Sequence, residues 1–218
     1  MPKLVWDETG KRFYENGVSK GVLYLKDEET NVFNTGVAWN GLINVNESPS
    51  GAEATPLWAD NIKYAVGTTA EEFACSIEAY TYPDEFEECD GSVELAKGVY
   101  VGQQERKTFG LCYRNEIHND VKQNVGYKLT LVYNCLAAPS AKDHATINES
   151  VEGMTMSWEV STTAVAVAGL KPSAVVRIDS RKVDAAKLAE LEEILYGSTE
   201  VAPRLPLPDE IKELLATA

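Results

Sequence analysis

From residue 13 to about residue 178, apolar and polar side chains alternate with a period of two, and this pattern constrains the fold more than any other feature of the chain. Successive side chains of an extended strand point to opposite faces, so alternation marks a strand with one face buried and one face wet. Met154, Met156, Trp158 and Val160 fall on one side, while Thr155, Ser157, Glu159 and Ser161 fall on the other. Tyr127, Leu129, Leu131 and Tyr133 oppose Lys128, Thr130, Val132 and Asn134, and Phe109, Leu111 and Tyr113 oppose Thr108, Gly110, Cys112 and Arg114. Residues 21–26, 73–82, 99–104, 163–168 and 174–179 are further candidate strands. One-sided strands of this kind pair antiparallel and bury their apolar faces against each other in a sandwich or barrel. The expected class is mainly β, two packed antiparallel sheets, with flanking helices.

Three segments break the alternation. Residues 31–63 are rich in Asn, Gly, Ser and Pro, with Trp39, Pro49, Pro56 and Trp58 spaced through them, and read as a loop longer than a compact domain carries without a reason. Its tryptophans either pack it onto its own sheet or carry it to a neighbouring subunit. After Tyr82, Pro83 suits the first turn of a helix and Asp84 and Glu85 suit its N-terminus, so a short helix closed by Gly91 is expected. Around it, Glu71, Glu72, Glu78, Asp84, Glu85, Glu87, Glu88, Asp90 and Glu94 follow one another without a Lys or Arg. That stretch reads as a solvated acidic face, since the spacing of a calcium loop is missing. From residue 183 the period becomes helical. Leu188, Leu191, Ile194 and Leu195 form one stripe, with Asp184 as N-cap and Gly197 as stop. Beyond the stiff APRLPLP segment, Ile211, Leu214 and Leu215 form a second stripe on a helix too short to stand alone. That helix folds back on its own sheet or docks on an adjacent subunit as an arm. The organisation read from the sequence is a β domain over 1–182 and a helical extension over 183–218.

The 218 residues suffice for one core, since single domains run to about 150–200 residues, and a second full domain is not expected. Thirty-four Asp and Glu against 20 Lys and Arg leave a formal charge of −14. With no basic stripe, tight sequence-specific DNA binding is disfavoured, because it requires cations to displace the counterions of the phosphates. The N-terminal MPKLVWDETGKRFY lacks the apolar core of a signal peptide, and nowhere do about 18 apolar residues run together, so no membrane association and folding in a cytoplasm are expected. Cys75, Cys89, Cys112 and Cys135 are far apart and read as reduced, buried thiols. The Asn-x-Ser triplets at Asn46 and Asn148 matter only for a secreted chain. His118 and His144 fall in no metal-ligand spacing, and the phosphate-binding glycine loops are missing. No catalytic, cofactor or metal set is expected, and the chain is not read as an enzyme.

Several long segments, in one order, carry a resemblance: GVAWNGLINVNESPSGAEATPLWADNIKY from Gly36, SIEAYTYPDEFEECDGS from Ser76, GVYVGQQERKTFGLCYRNEI from Gly98, GYKLTLVYN from Gly126 and SWEVSTTAV from Ser157. Together they resemble the major tail protein, the tail tube subunit, of long-tailed bacteriophages of the siphophage type. The resemblance implies a virion structural protein assembled in the host bacterial cytoplasm. Six subunits form a ring, and rings stack into the phage tail tube, whose acidic channel passes double-stranded DNA transiently during genome ejection. It further implies tape measure, tail terminator and baseplate proteins as partners. Under it, the 31–63 segment makes contacts between rings, with Trp39, Asn46, Pro49, Pro56 and Trp58 as candidates. Glu159 and Glu78, on polar strand faces, are the candidates for lining the lumen, and Ile211, Leu214 and Leu215 for the C-terminal arm. The alternative reading is a carbohydrate-binding β-sandwich or virion adhesin that stacks sugar rings on Trp6, Trp39 or Trp58.

Overall fold

The computed structural model describes residues 3–146 and 153–216, so the Asn148 triplet lies outside the described residues. The strands are β1 (Phe13–Lys26), β2 (Phe33–Trp39), β3 (Leu42–Glu47), β4 (Ser50–Gly51), β5 (Ala54–Ala59), β6 (Ile62–Thr68), β7 (Glu71–Glu72), β8 (Ala74–Ala79), β9 (Val93–Ala96), β10 (Val99–Val101), β11 (Phe109–Asn119), β12 (Gly126–Ala137), β13 (Met156–Thr162) and β14 (Val175–Asp179). Helices α1 (Ala185–Tyr196) and α2 (Pro208–Leu215) follow. The fold is mainly β with antiparallel pairing, as the alternation predicts.

The main sheet runs β2-β1-β11-β12-β13-β8-β3, with β14 paired to the first half of β12 and β13 to its end. The last strand of that path, β3, follows the first, β2, directly in the chain through a turn at Asn40 and Gly41. The sheet therefore curls until its ends adjoin, and the two layers expected from the sequence are two halves of one sheet.

Two apolar cores lie on opposite sides of β1, β11 and β12. Inside the curl, Leu23, Phe109, Leu111 and Tyr113 meet Ile77, Met156, Trp158 and Val160. Outside it, Tyr24, Leu129, Leu131 and Tyr133 meet Leu188, Leu191, Leu195, Leu205 and Ile211. The central strands are thus buried on both faces. Cys112, Thr130 and Val132, which stand on the polar side of the sequence alternation, are buried too.

The outer core is closed by the C-terminal helices. Asp184 caps α1 by accepting from the amides of Ala186 (3.0 Å) and Lys187 (3.2 Å), and Gly197, with φ of 79°, ends it. Between the helices the chain lies against β2: Gly36 N–H donates to the Pro203 carbonyl and Leu205 N–H to that of Phe33, both at 3.0 Å. This approach needs glycines in the sheet. A methyl group on Gly110 would lie 2.5 Å from Leu205 Cδ2, and one on Gly36 would lie 2.8 Å from Pro203 Cβ. Ile211, Leu214 and Leu215, read as the stripe of a candidate arm, pack instead on the subunit's own outer core. The arm expectation is corrected accordingly: a short amphipathic helix whose linker from α1 is itself hydrogen-bonded to β2 is held beside its own apolar sheet face and buries its stripe there.

Two further expectations change. Residues 163–168 form no strand, only a bridge from Val165 to Ser173. The helix after Tyr82 is one 3-10 turn, Asp84–Phe86, followed by turns up to Gly91. It is anchored by Phe86, which packs edge-on against Phe109 and Trp158. Beside it, Asp90 departs from the solvated acidic face. Its carboxylate receives Arg106 Nη1 (3.2 Å), Lys142 Nζ (2.9 Å) and Trp158 Nε1 (3.1 Å) with only 9% of the side chain exposed.

Candidate assembly surfaces

The segment read as a long loop is a long hairpin. Leu42 through Ala59 pairs back on Ile62 through Ala79 antiparallel, β3 with β8, β4 with β7 and β5 with β6, with register irregularities between Leu42 and Asn44 and between Leu57 and Trp58. Asp60 and Asn61 both have positive φ, the conformation of a tight two-residue hairpin turn that their short polar side chains tolerate. The half formed by β3 and β8 belongs to the body. The half formed by β5 and β6 pairs only with itself and extends roughly 20 Å at 3.3 Å per residue.

This outer half is unusual in what it exposes. Leu57, Trp58, Ile62, Tyr64 and Val66 are all at least half exposed, Trp58 at 68% and Tyr64 at 72%. In the regular part of the pairing Pro56 stands opposite Val66 and Leu57 opposite Ala65, and these adjacent pairs, with exposed Val66 in one and exposed Leu57 in the other, point to opposite faces. Both faces of the hairpin are therefore apolar, whereas a two-stranded ribbon is at best marginally stable in water by itself. A monomer leaves such a surface uncovered only rarely.

The candidate inter-ring residues separate in space. Pro56 and Trp58 come together on the projecting hairpin, and Pro49 lies exposed in the connection between β3 and β4. Asn46 is on β3 in the body. Trp39 is 3% exposed in the inner core, packs on Phe86 and Trp158, and donates from Nε1 to the Thr81 carbonyl at 3.0 Å. It cannot touch another subunit or a sugar, and its assignment to the contact set is corrected. Of the tryptophans, Trp6 and Trp58 are the exposed ones, on separate elements.

The two candidate lumen residues come together. Glu78 stands opposite Ser157 and Glu159 opposite Ser76, which makes the carboxylates diagonal neighbours on one face of the β13 and β8 pair. Asn44 and Asn46 continue that face across β3. The helices cover the other half of the sheet, so this face is open. On β8 and β13 its outward side chains are Ala74, Ser76, Glu78, Ser157, Glu159 and Ser161, without Lys or Arg.

All four cysteines are buried. Burial pushes the thiols of Cys75, Cys89 and Cys112 up to about 12 and raises that of Cys135 as well, so all four stay protonated at neutral pH. His118 stacks on Tyr14 at 5.3 Å. Among the described residues, no three His, Cys, Asp or Glu side chains gather as a metal site.

No protein-family model and no curated protein matches this chain. Two solved structures are similar in outline. One is a chain of the anti-feeding prophage baseplate, determined with 6-fold symmetrisation, at 8% identity, covering 80% of this chain and 97% of that one, with a TM-score of 0.37. The other is a chain of the extended PVC sheath-tube complex of an extracellular contractile injection system, at 11% identity, covering 80% and 94%, with a TM-score of 0.32. Likeness at that level carries no argument about what this chain does.

The sequence reading missed Leu57, Ile62, Tyr64 and Val66. The signal that finds them is the alternation on either side of Asp60 and Asn61, a turn dipeptide flanked by apolar residues.

Proposed function

We propose that this protein is a structural subunit that polymerises. In the reading that the resemblance supports, six copies form a ring, and rings stack into the tail tube of a bacteriophage, with double-stranded DNA passing through the bore. The observation that carries it is the hairpin of β5 and β6, apolar on both faces and unpaired within its own subunit. Burying it in a neighbour supplies the partner that a lone ribbon lacks. Contact with tape measure, tail terminator and baseplate proteins, location in the virion, and assembly in the host cytoplasm belong to the same reading.

Its test is whether purified protein forms tubes of uniform width in negative-stain electron microscopy, and whether Trp58→Glu/Tyr64→Glu abolishes them. The pair is chosen because both side chains are exposed and their replacement spares the core, so melting of the subunit should be unchanged while tubes are lost. A deletion beginning at Val45 would mislead, because Val45 packs against the inner core. Tubes of normal length from the double variant would remove the hairpin from the assembly surface.

The face bearing Glu78 and Glu159 suits a bore. Carboxylates among Ser and Asn repel phosphate over the screening length of about 8–10 Å and offer no cation for a duplex to release counterions against. Glu78→Lys/Glu159→Lys should leave tubes intact, since exposed polar positions tolerate substitution. The same tubes should retain duplex DNA that wild-type tubes release, with a retention that falls as salt rises. Equal retention by both would move this face off the bore.

A further inference from the structure

At the foot of the projecting hairpin the structure has an open cleft of about 820 Å³, with Phe73 and Val175 deep in it and Ala52, Ala70, Ala164 and Ala174 as its small walls. Glu71, Glu72 and Lys171 stand exposed at its rim. We propose that this cleft is the receptor for the tip of the same hairpin on a second copy of the chain. The inference rests on the reading that the chain polymerises and adds where the hairpin goes.

Three observations converge on a second copy as the occupant. First, the alanines leave room where larger residues would fill the groove, and the volume lies within the roughly 300–1,000 Å³ of clefts that enclose a compact apolar group. The tip supplies Leu57, Trp58 and Ile62 as that group. Second, the charges match. The turn carries Asp60 and the neighbouring strand Lys63, while the rim carries Lys171 against one and Glu71 and Glu72 against the other. Among the described residues, none of these five side chains forms an ion pair within its own subunit. Third, an extended hairpin holds its tip roughly 20 Å from its own foot, so the tip of one copy reaches the cleft of another and not its own. Knob and cleft are different patches, so a contact made in one direction leaves a free knob and a free cleft, and such head-to-tail contacts propagate into rings or filaments.

This geometry has a decisive mixing experiment. Trp58→Glu spoils the knob and leaves the cleft open; Ala164→Trp fills the cleft and leaves the knob intact. Both positions are exposed, so circular dichroism and melting should match wild type. In sedimentation velocity each variant alone should stay monomeric, whereas an equimolar mixture should give a two-chain complex and nothing longer. Mutation of charge supplies an independent arm: Lys171→Glu should weaken assembly, and Asp60→Lys in the same chain should restore it. Ala164→Trp assembling like wild type, with Trp58→Glu still monomeric, overturns the cleft as receptor while leaving polymerisation through the hairpin standing. A wild-type chain that stays monomeric at every concentration overturns both.

Discussion

Removing the chain beyond Gly197 is expected to unfold the subunit outright. The lost segment buries Leu205 and Ile211 to within 4% of full burial and adds the partly buried Leu214 and Leu215. It also covers two tyrosines whose hydroxyls reach past the sheet: Tyr24 donates to the Leu195 carbonyl at 2.6 Å and Tyr133 to the Pro206 carbonyl at 2.9 Å. Tyr133 loses its acceptor with the truncation and is left facing water on an apolar face. Full burial of a Leu or Ile side chain contributes about 1.5–3 kcal/mol, so the two alone contribute about 3–6 kcal/mol before Phe33 and Tyr133 are counted. Whole domains are stable by only about 5–15 kcal/mol. The truncated protein should be insoluble or lack a cooperative melt by circular dichroism. A milder variant, Leu205→Ala, should cost about 2–5 kcal/mol through the cavity it leaves. A soluble truncated chain melting within a few degrees of the full one would show that the helices are dispensable to the sheet.

Asp90→Ala should be the most damaging single substitution of a polar residue. Its carboxylate is the shared acceptor of Arg106, Lys142 and Trp158 Nε1, and removing it strands two cations and an indole N–H beside the inner core. Breaking such a group from one side costs about 3–5 kcal/mol, because the remaining charges are left desolvated and unpaired. For a chain of this size each kcal/mol is worth about 2–4 °C, so Tm should fall by roughly 10 °C. Asp90→Asn keeps an acceptor for Trp158 and loses only the charge, so its fall should be smaller. Equal losses for the two variants would mean that the cations, not the indole bond, hold the residue in place; no loss in either would mean that Arg106 and Lys142 re-solvate freely.

The sequence showed most plainly what depends on local period. The polar and apolar faces of β13 were readable, as was α1, where Asp184 and Gly197 bracket a stripe at helical spacing. Double burial was not readable. In β11 and β12 a Cys, a Thr and a Val occupy the second buried face, and those residues suit either a wet or a dry surface. Nor was the long hairpin: Pro49, Pro56 and several glycines suggest a loop, yet Pro56 sits in a two-stranded ribbon with no neighbour on its outer side, where a missing N–H costs nothing. Where the apolar stripe of α2 goes was beyond any period, since an amphipathic helix reports that it has a dry face and not whose surface dries it.

The pairing of β1 with β11 also sets a timetable. β1 is complete at residue 26, but its partner begins at residue 109, and the segment that seals the outer core comes after every strand. β2 can cover one edge of β1 at once, but at about 5–20 residues per second a chain leaving the ribosome keeps the other edge, the one that β11 will take, unpaired for on the order of ten seconds. Meanwhile the hairpin from Leu42 to Ala79, whose partners are local, closes early and displays its apolar tip before any body exists to carry it. The cleft at its foot needs Ala164 and Val175, which are synthesised about a hundred residues later. Nascent chains thus acquire the adhesive part long before the receptive one, and a subunit can give before it can receive.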